Sequence, residues 1–180
     1  MGILHKYTVD VTWTGARSGG TTSYTAYSRD HEVRIGTKPV LLGSADPAFR
    51  GDRGRYSPEE LFVASLSQCH MLWFLHLASE AELVVLAYAD AATGSMRVES
   101  HGSGQFNEVV LHPVVTLAPV APLVGESVAD RLAAVHHRAH EYCFLARSVN
   151  FPVRIEPAPV RIAQPQARLA EPRVAQTAAP

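Results

Sequence analysis

Residues 57–81, SPEELFVASLSQCHMLWFLHLASEA, restrict the fold of this chain more than any other stretch. Ser57 can cap a first helical turn. Pro58 suits the first helical position, where its missing N–H is not needed, and Glu60 stands where a capping-box carboxylate reaches back. Apolar residues at Leu61, Phe62, Val63, Leu66, Met71, Leu72, Trp73, Phe74, Leu75 and Leu77 spread too widely for a single stripe. The pattern predicts a helix covered on most sides, roughly 30 Å long, with the rest of the chain packed around it. One subunit's sheet does not suffice for that, and an intertwined dimer supplies the second cover.

Before the helix, Tyr7, Val9, Val11 and Trp13 alternate with polar residues, as in a strand. Gly15–Gly20 reads as a turn and Thr21–Ser28 as the returning arm of a hairpin. Glu32–Leu42 has room for one or two short strands, and Gly43–Tyr56 is an arginine-rich loop. After the helix, Leu83–Ala89, Met96–Ser100 and Gly104–Leu117 read as strands, with turns at Thr93-Gly94 and His101-Gly102. Pro113 favours an edge or a bulge. Pro119 and Pro122 close the sheet region. Ser127 heads a second helix on which Val128, Leu132, Val135 and Ala139 recur at helical spacing. Phe151–Ile162 is a last strand, followed by an Ala/Pro/Gln-rich stretch that need not be ordered. The order of elements is α+β. A length of 180 residues suits one domain, residues 1–162, with a tail, residues 163–180.

A formal net charge of -1 gives no field to draw nucleic acid or an acidic membrane. Two cysteines are too few for a secreted disulfide scaffold of this length. The N-terminus has no basic flank leading into an apolar signal core, and Lys6 occupies the place where a myristoylation motif needs Ser or Thr. Ser, Gln and His interrupt the longest apolar run, so the expectation is no membrane span and a cytoplasmic protein. No phosphate-binding glycine loop and no serine-hydrolase elbow occurs.

The residues able to carry chemistry are Cys69, mid-helix, and Cys143, near the end of the second helix. Each is equally readable as a packing residue. A reactive thiol needs positive charge or donors nearby, and Arg17, Arg29, Arg50, Arg53 and Arg55 are available. Glu59 precedes Cys69 by ten residues, which on a straight helix is roughly 15 Å along the axis and about 80° out of line. It serves a second subunit's thiol, or its own if the helix breaks, or is only a first-turn acid favoured by the helix dipole. His136, His140 and Cys143 share one helix face, and with His70 they outline a rival zinc site.

Trp13-x-Gly15 with its Gly-rich turn, the run from Ser57-Pro58-Glu59-Glu60 to Cys69, and Ala139-His140-x-x-Cys143 together resemble the OsmC/Ohr family over Tyr7–Ile162. The resemblance implies a long central helix packed by antiparallel sheets in an intertwined homodimer, with active sites at the subunit interface. It implies a thiol peroxidase that reduces organic hydroperoxides, and possible use of hydrogen peroxide, without a cofactor. Cys69 is then the peroxidatic thiol and Cys143 the resolving one, with an external dithiol as reductant. Glu59 is the acid that holds an activating arginine. Arg17 is the best match for that arginine, with Arg29 and Arg53 as alternatives. His70 replaces the aromatic residue more usual after the first cysteine, and Phe144-Leu145 replaces Pro-Val after the second. The competing expectation is a non-catalytic dimer holding zinc or a small apolar ligand.

Overall fold

The computed structural model describes residues 2–119 and 127–164. Strands β1 (Asp10–Trp13), β2 (His31–Arg34) and β3 (Leu41–Gly43) precede helix α1 (Pro58–Glu80). Strands β4 (Val85–Asp90), β5 (Thr93–Val98), β6 (Gly104–Leu111) and β7 (Pro113–Leu117) follow it. Helix α2 (Val128–Tyr142) and strands β8 (Val153–Ile155) and β9 (Arg161–Ile162) complete the order. The architecture is α+β, as the sequence predicts. Pro122 and residues 165–180 of the expected tail lie outside the described residues.

α1 begins where its local chemistry dictates. Ser57 accepts from the Glu60 N–H at 3.2 Å, and the Glu60 carboxylate accepts from the Ser57 N–H at 2.8 Å. Pro58 has no N–H, so two of the three orphan donors of the first turn are thereby satisfied, and losing such a cap costs about 1 kcal/mol. Along α1 the inner face serves two cores. Leu66 packs with Val109 and Leu111, flanked by Phe62, Phe106 and Phe151. Two to three turns later, Phe74, Leu77 and Ala78 pack with Leu83, Val115 and Leu117 and with Leu132, Val135 and Ala139 of α2. Each fully buried side chain of this size contributes about 1.5–3 kcal/mol.

The strands form three three-stranded sheets, ordered β1-β2-β3, β4-β7-β9 and β5-β6-β8. The expectation of antiparallel sheets holds only for the first of them. β8 lies parallel to β6 and β9 parallel to β7, because the chain returns through α2 and re-enters each sheet in its partner's direction. The final strand expected over Phe151–Ile162 is therefore two strands in two sheets. Pro113 starts the central strand β7 instead of lying on an edge; the first position of a strand tolerates a missing N–H.

Three other expectations change. Tyr7–Val9 stay outside β1, and Thr21–Ser28 fold as turns with no returning strand. There Arg29 lies between the rings of Tyr24 and Tyr27, 4.3 Å from each, and donates to both of their carbonyls. Trp13 reaches across to donate its indole N–H to Ser28 O at 2.8 Å. Thr93-Gly94 is strand, not turn. A Cβ on Gly94 would lie 2.6 Å from Val63 and 3.0 Å from Phe106, so the glycine lets α1 approach the sheet.

α1 is long and apolar enough to cross a membrane by length and composition, contrary to the expectation from its Ser, Gln and His residues. Within this fold its inner face is taken up by the two cores. The described residues leave its outer face open: Leu72 is 62% exposed. Val11 and Trp13 of β1 are also exposed.

Candidate active site

The two cysteines are brought together by the packing of α1 on α2. Cys69 sits half-buried at the middle of α1. Cys143 ends α2, where the backbone turns from helical to extended (φ -65, ψ 108), and its N–H donates to His140 O at 3.2 Å. Its side chain is buried, accepts from the Ala146 N–H at 3.5 Å and neighbours the thiol of Cys69. Burial, with a smaller contribution from the neighbouring Cys69, pushes the Cys143 thiol up to about 11, against the opposing pull of the Ala146 and Leu145 amides. At neutral pH Cys143 is therefore a protonated thiol. Both cysteines are free.

Cys69 also faces outward. It opens onto a groove of about 340 Å³ lined by Leu72, Trp73, His76 and Phe144. An adjoining cleft of about 530 Å³ adds Ser65, Gln68 and Leu145, with His5 and Tyr7 of the N-terminal segment. The wall is aromatic: Trp73 packs on Phe144 at 5.4 Å and on Tyr142 at 5.1 Å. The sequence carries one signal of this groove. Cys69, Leu72, Trp73 and His76 fall at i, i+3, i+4 and i+7, one face of one helix. The contribution of Phe144 and Leu145 depends on how α2 ends, which spacing does not show.

Glu59 and Arg17 stand apart from this groove. α1 runs unbroken from Pro58 to Glu80, so Glu59 stays away from its own Cys69. It lines a different and larger cavity, of about 650 Å³, with Asp46, Glu60, Ser67 and Asp90. Its Oε2 is buried there without a hydrogen-bond partner. Asp90 in the same cavity accepts from Ser67 Oγ at 2.5 Å and from the His112 N–H at 2.7 Å. Arg17 is exposed in the turn after β1, in a left-handed conformation (φ 50). Arg29 is held by its two tyrosines, and Arg53 is exposed. Among the described residues, no arginine lines the openings at Cys69.

Beneath the thiols, on the same helix interface, lie two buried histidines. His70 Nε2 and His136 Nδ1 are 3.1 Å apart, with parallel rings, and His136 stacks on Phe74 at 4.3 Å. Burial, with a further push from His140 and a weaker opposing pull from Asp90, lowers His70 to about 4. Burial and His70 lower His136 to about 4. Both rings are neutral at pH 7. Among the described residues, no three His, Cys, Asp or Glu side chains converge to hold a metal ion, so His70, His136, His140 and Cys143 do not form the zinc site outlined from spacing.

The family model of OsmC-like proteins matches residues 51–158, from the loop before α1 to beyond β8. The chain belongs to the OsmC/Ohr family. An OsmC-like protein of unknown function from Vibrio cholerae is 33% identical, over 86% of this chain and 100% of that one, with a TM-score of 0.76. Two further OsmC/Ohr structures share the fold. One, from Legionella pneumophila, is called an organic hydroperoxide resistance protein OsmC (16% identity, 89% and 99% coverage, TM-score 0.62). The other, from Elizabethkingia anophelis, is an organic hydroperoxide resistance protein with thiocyanate bound (16% identity, 89% and 100% coverage, TM-score 0.60). No curated protein matches the chain. The matched segment carries Glu59, Cys69 and Cys143; Arg17 precedes it.

Proposed function

We propose that this OsmC/Ohr protein is a two-cysteine thiol peroxidase that reduces organic hydroperoxides. The observation that carries the reading is a half-exposed thiol in an apolar groove with a second, buried thiol in contact behind it. Access assigns the roles. A hydroperoxide with an apolar body can reach Cys69 along Leu72, Trp73 and Phe144, whereas Cys143 is sealed and protonated. The Cys69 thiolate attacks the distal peroxide oxygen, the O–O bond breaks, and the leaving alkoxide takes up a proton as the alcohol. Cys69 is then a sulfenic acid. Cys143 attacks that sulfur, water leaves, and a Cys69–Cys143 disulfide forms. An external dithiol reduces it by exchange and is itself oxidised. Hydroperoxide-resistance proteins of this fold give the reading its context.

The positive charge that lowers a thiol's pKa comes from a second copy of the chain in this reading. The intertwined homodimer covers the outer face of α1 and the exposed β1, and unites Glu59 and Arg17 with the thiols. The unpartnered Glu59 carboxylate and the exposed Arg17 are complementary groups for such an interface. The protein then works in the cytoplasm, where dithiols keep Cys69 and Cys143 reduced.

Two measurements test this. Purified protein should consume cumene hydroperoxide with dithiothreitol or dihydrolipoamide as reductant. No consumption with either, together with stoichiometric zinc retained through dialysis, would replace the peroxidase by the non-catalytic binding dimer. Light scattering at micromolar concentration should find a dimer. A stable monomer would remove the second copy from the site.

A further inference from the structure

His70 and His136 have no task in the thiol chemistry, yet they are among the most buried polar side chains of the molecule. The ring nitrogens they share point at each other, and the outer ones, His70 Nδ1 and His136 Nε2, are buried with no partner. Only one proton fits between Nε2 and Nδ1, so the contact requires one donor and one acceptor. On α2, His136, His140 and Cys143 fall on one face, and on α1 His70 adjoins Cys69. On α2 both contacts are thus made from one face, and on α1 they are made by consecutive residues, His70 turned into the interface and Cys69 at its edge.

We propose that the His70–His136 pair is an acid-sensitive latch between α1 and α2: neutral, it holds Cys69 against Cys143, and protonated, it releases the two thiols. The inference rests on the histidine contact and on the neighbouring thiols, and stands whether or not Cys69 reduces peroxides.

The groups around the pair favour its neutral form. From α2, His140 adds a third imidazole, whose buried Nδ1 also lacks a partner, and it disfavours charge on His70. From α1, Phe74 gives His136 an apolar face. From β4 come Tyr88, packed on Phe74 with an unpartnered hydroxyl, and Asp90. Among the described residues it is Asp90 that favours the cation on His70, and both its oxygens are already engaged by Ser67 and His112. A first extra proton places a cation in this slot, and a second sets donor against donor. Each histidine titrates at about 4 folded, against an ordinary 6.5. Between those values the unfolded chain binds more protons than the folded one. The latch is therefore fully closed above the ordinary value and weakens as pH falls toward the folded one.

The test compares the full chain with a His70→Leu/His136→Leu variant, which keeps apolar volume and removes both titrations. Urea unfolding and the yield of Cys69–Cys143 disulfide after one equivalent of diamide are measured from pH 7.5 to 4.5. In the parent the folded-to-unfolded ratio should fall by up to about tenfold per histidine per pH unit below the ordinary histidine pKa. Disulfide yield should fall more steeply than in the variant. Equal pH slopes in parent and variant, for both readouts, overturn the latch. If the variant does not fold, histidine ring NMR of the parent decides. Rings that stay neutral until the α1–α2 contacts are lost support the latch, and rings that protonate with those contacts intact overturn it.

Discussion

Cys69→Ser should abolish hydroperoxide turnover, by roughly a thousandfold or more, while leaving the fold intact. A serine hydroxyl fits the half-buried site on α1 but supplies neither a thiolate nor a sulfur for the disulfide. Cys143→Ser should behave differently, because the attacking thiol and its groove remain. That variant should react once with peroxide, stall as the sulfenic acid, and climb to the sulfinic form under excess oxidant. Intact mass separates the outcomes. The parent should lose about 2 Da on one equivalent of hydroperoxide, and Cys143→Ser should gain about 16 and then about 32 Da. If parent and both variants keep their masses, the two cysteines are packing residues. Turnover by Cys69→Ser equal to the parent's would dismiss the peroxidase reading altogether.

Phe74→Ala should be the most damaging single change to stability, at about 3–5 kcal/mol. Phe74 is completely buried where α1 meets both α2 and the β4-β7-β9 sheet. Its ring touches those of Tyr88 and His136, with centroids at 5.4 and 4.3 Å. Truncation opens a cavity that three elements cannot close without moving, and it removes the support of His136. For a chain of this size the thermal midpoint should drop by roughly 10 °C. Leu72→Ala is the control, on the exposed outer face of the same helix. In a monomer it should change stability by no more than about 0.5 kcal/mol. A loss of several kcal/mol at Leu72 would mean that a second copy covers this face.

The parts legible in the sequence were those fixed by near neighbours. Ser57, Pro58 and Glu60 set the start of α1 by contacts within one turn, and Ser127 capping Asp130 did the same for α2. Side-chain contacts outside the helix starts were not legible, whether local or long-range. Thr21–Ser28 is rich in β-formers, yet Arg29 clasping Tyr24 and Tyr27 turns the chain back before a strand can pair. Gly94 looked like a turn because glycine favours turns, whereas its role is to make room for Val63. At the site, the sequence picked out Cys69 and Cys143, and the packing of α1 on α2 puts them in contact. It offered His70, His136 and His140 as metal ligands, since spacing along a helix does not tell a converging set from a stacked pair. Glu59 could be placed only negatively, as too far from its own Cys69, and the unbroken α1 keeps it there.

The late strands impose an order on the folding of the chain. β8 and β9 lie within ten consecutive residues, 153–162, yet each adds the third strand to a different sheet. Val153 pairs with Val109 and Arg161 with Thr116, across the whole of α2. Until that segment docks, β5-β6 and β4-β7 are isolated strand pairs, and two-stranded units are marginal in water. Both also present an open edge to other chains. Parallel pairings across so much sequence are slow to close, because the loop must be ordered before the contacts reward it. A chain in which these pairings close last would carry two unfinished sheets until they do. The step that ends this period of aggregation risk is the arrival of residues 153–162, whose Val153 and Ile155 close over the core that Leu66 of α1 shares with Val109 and Leu111.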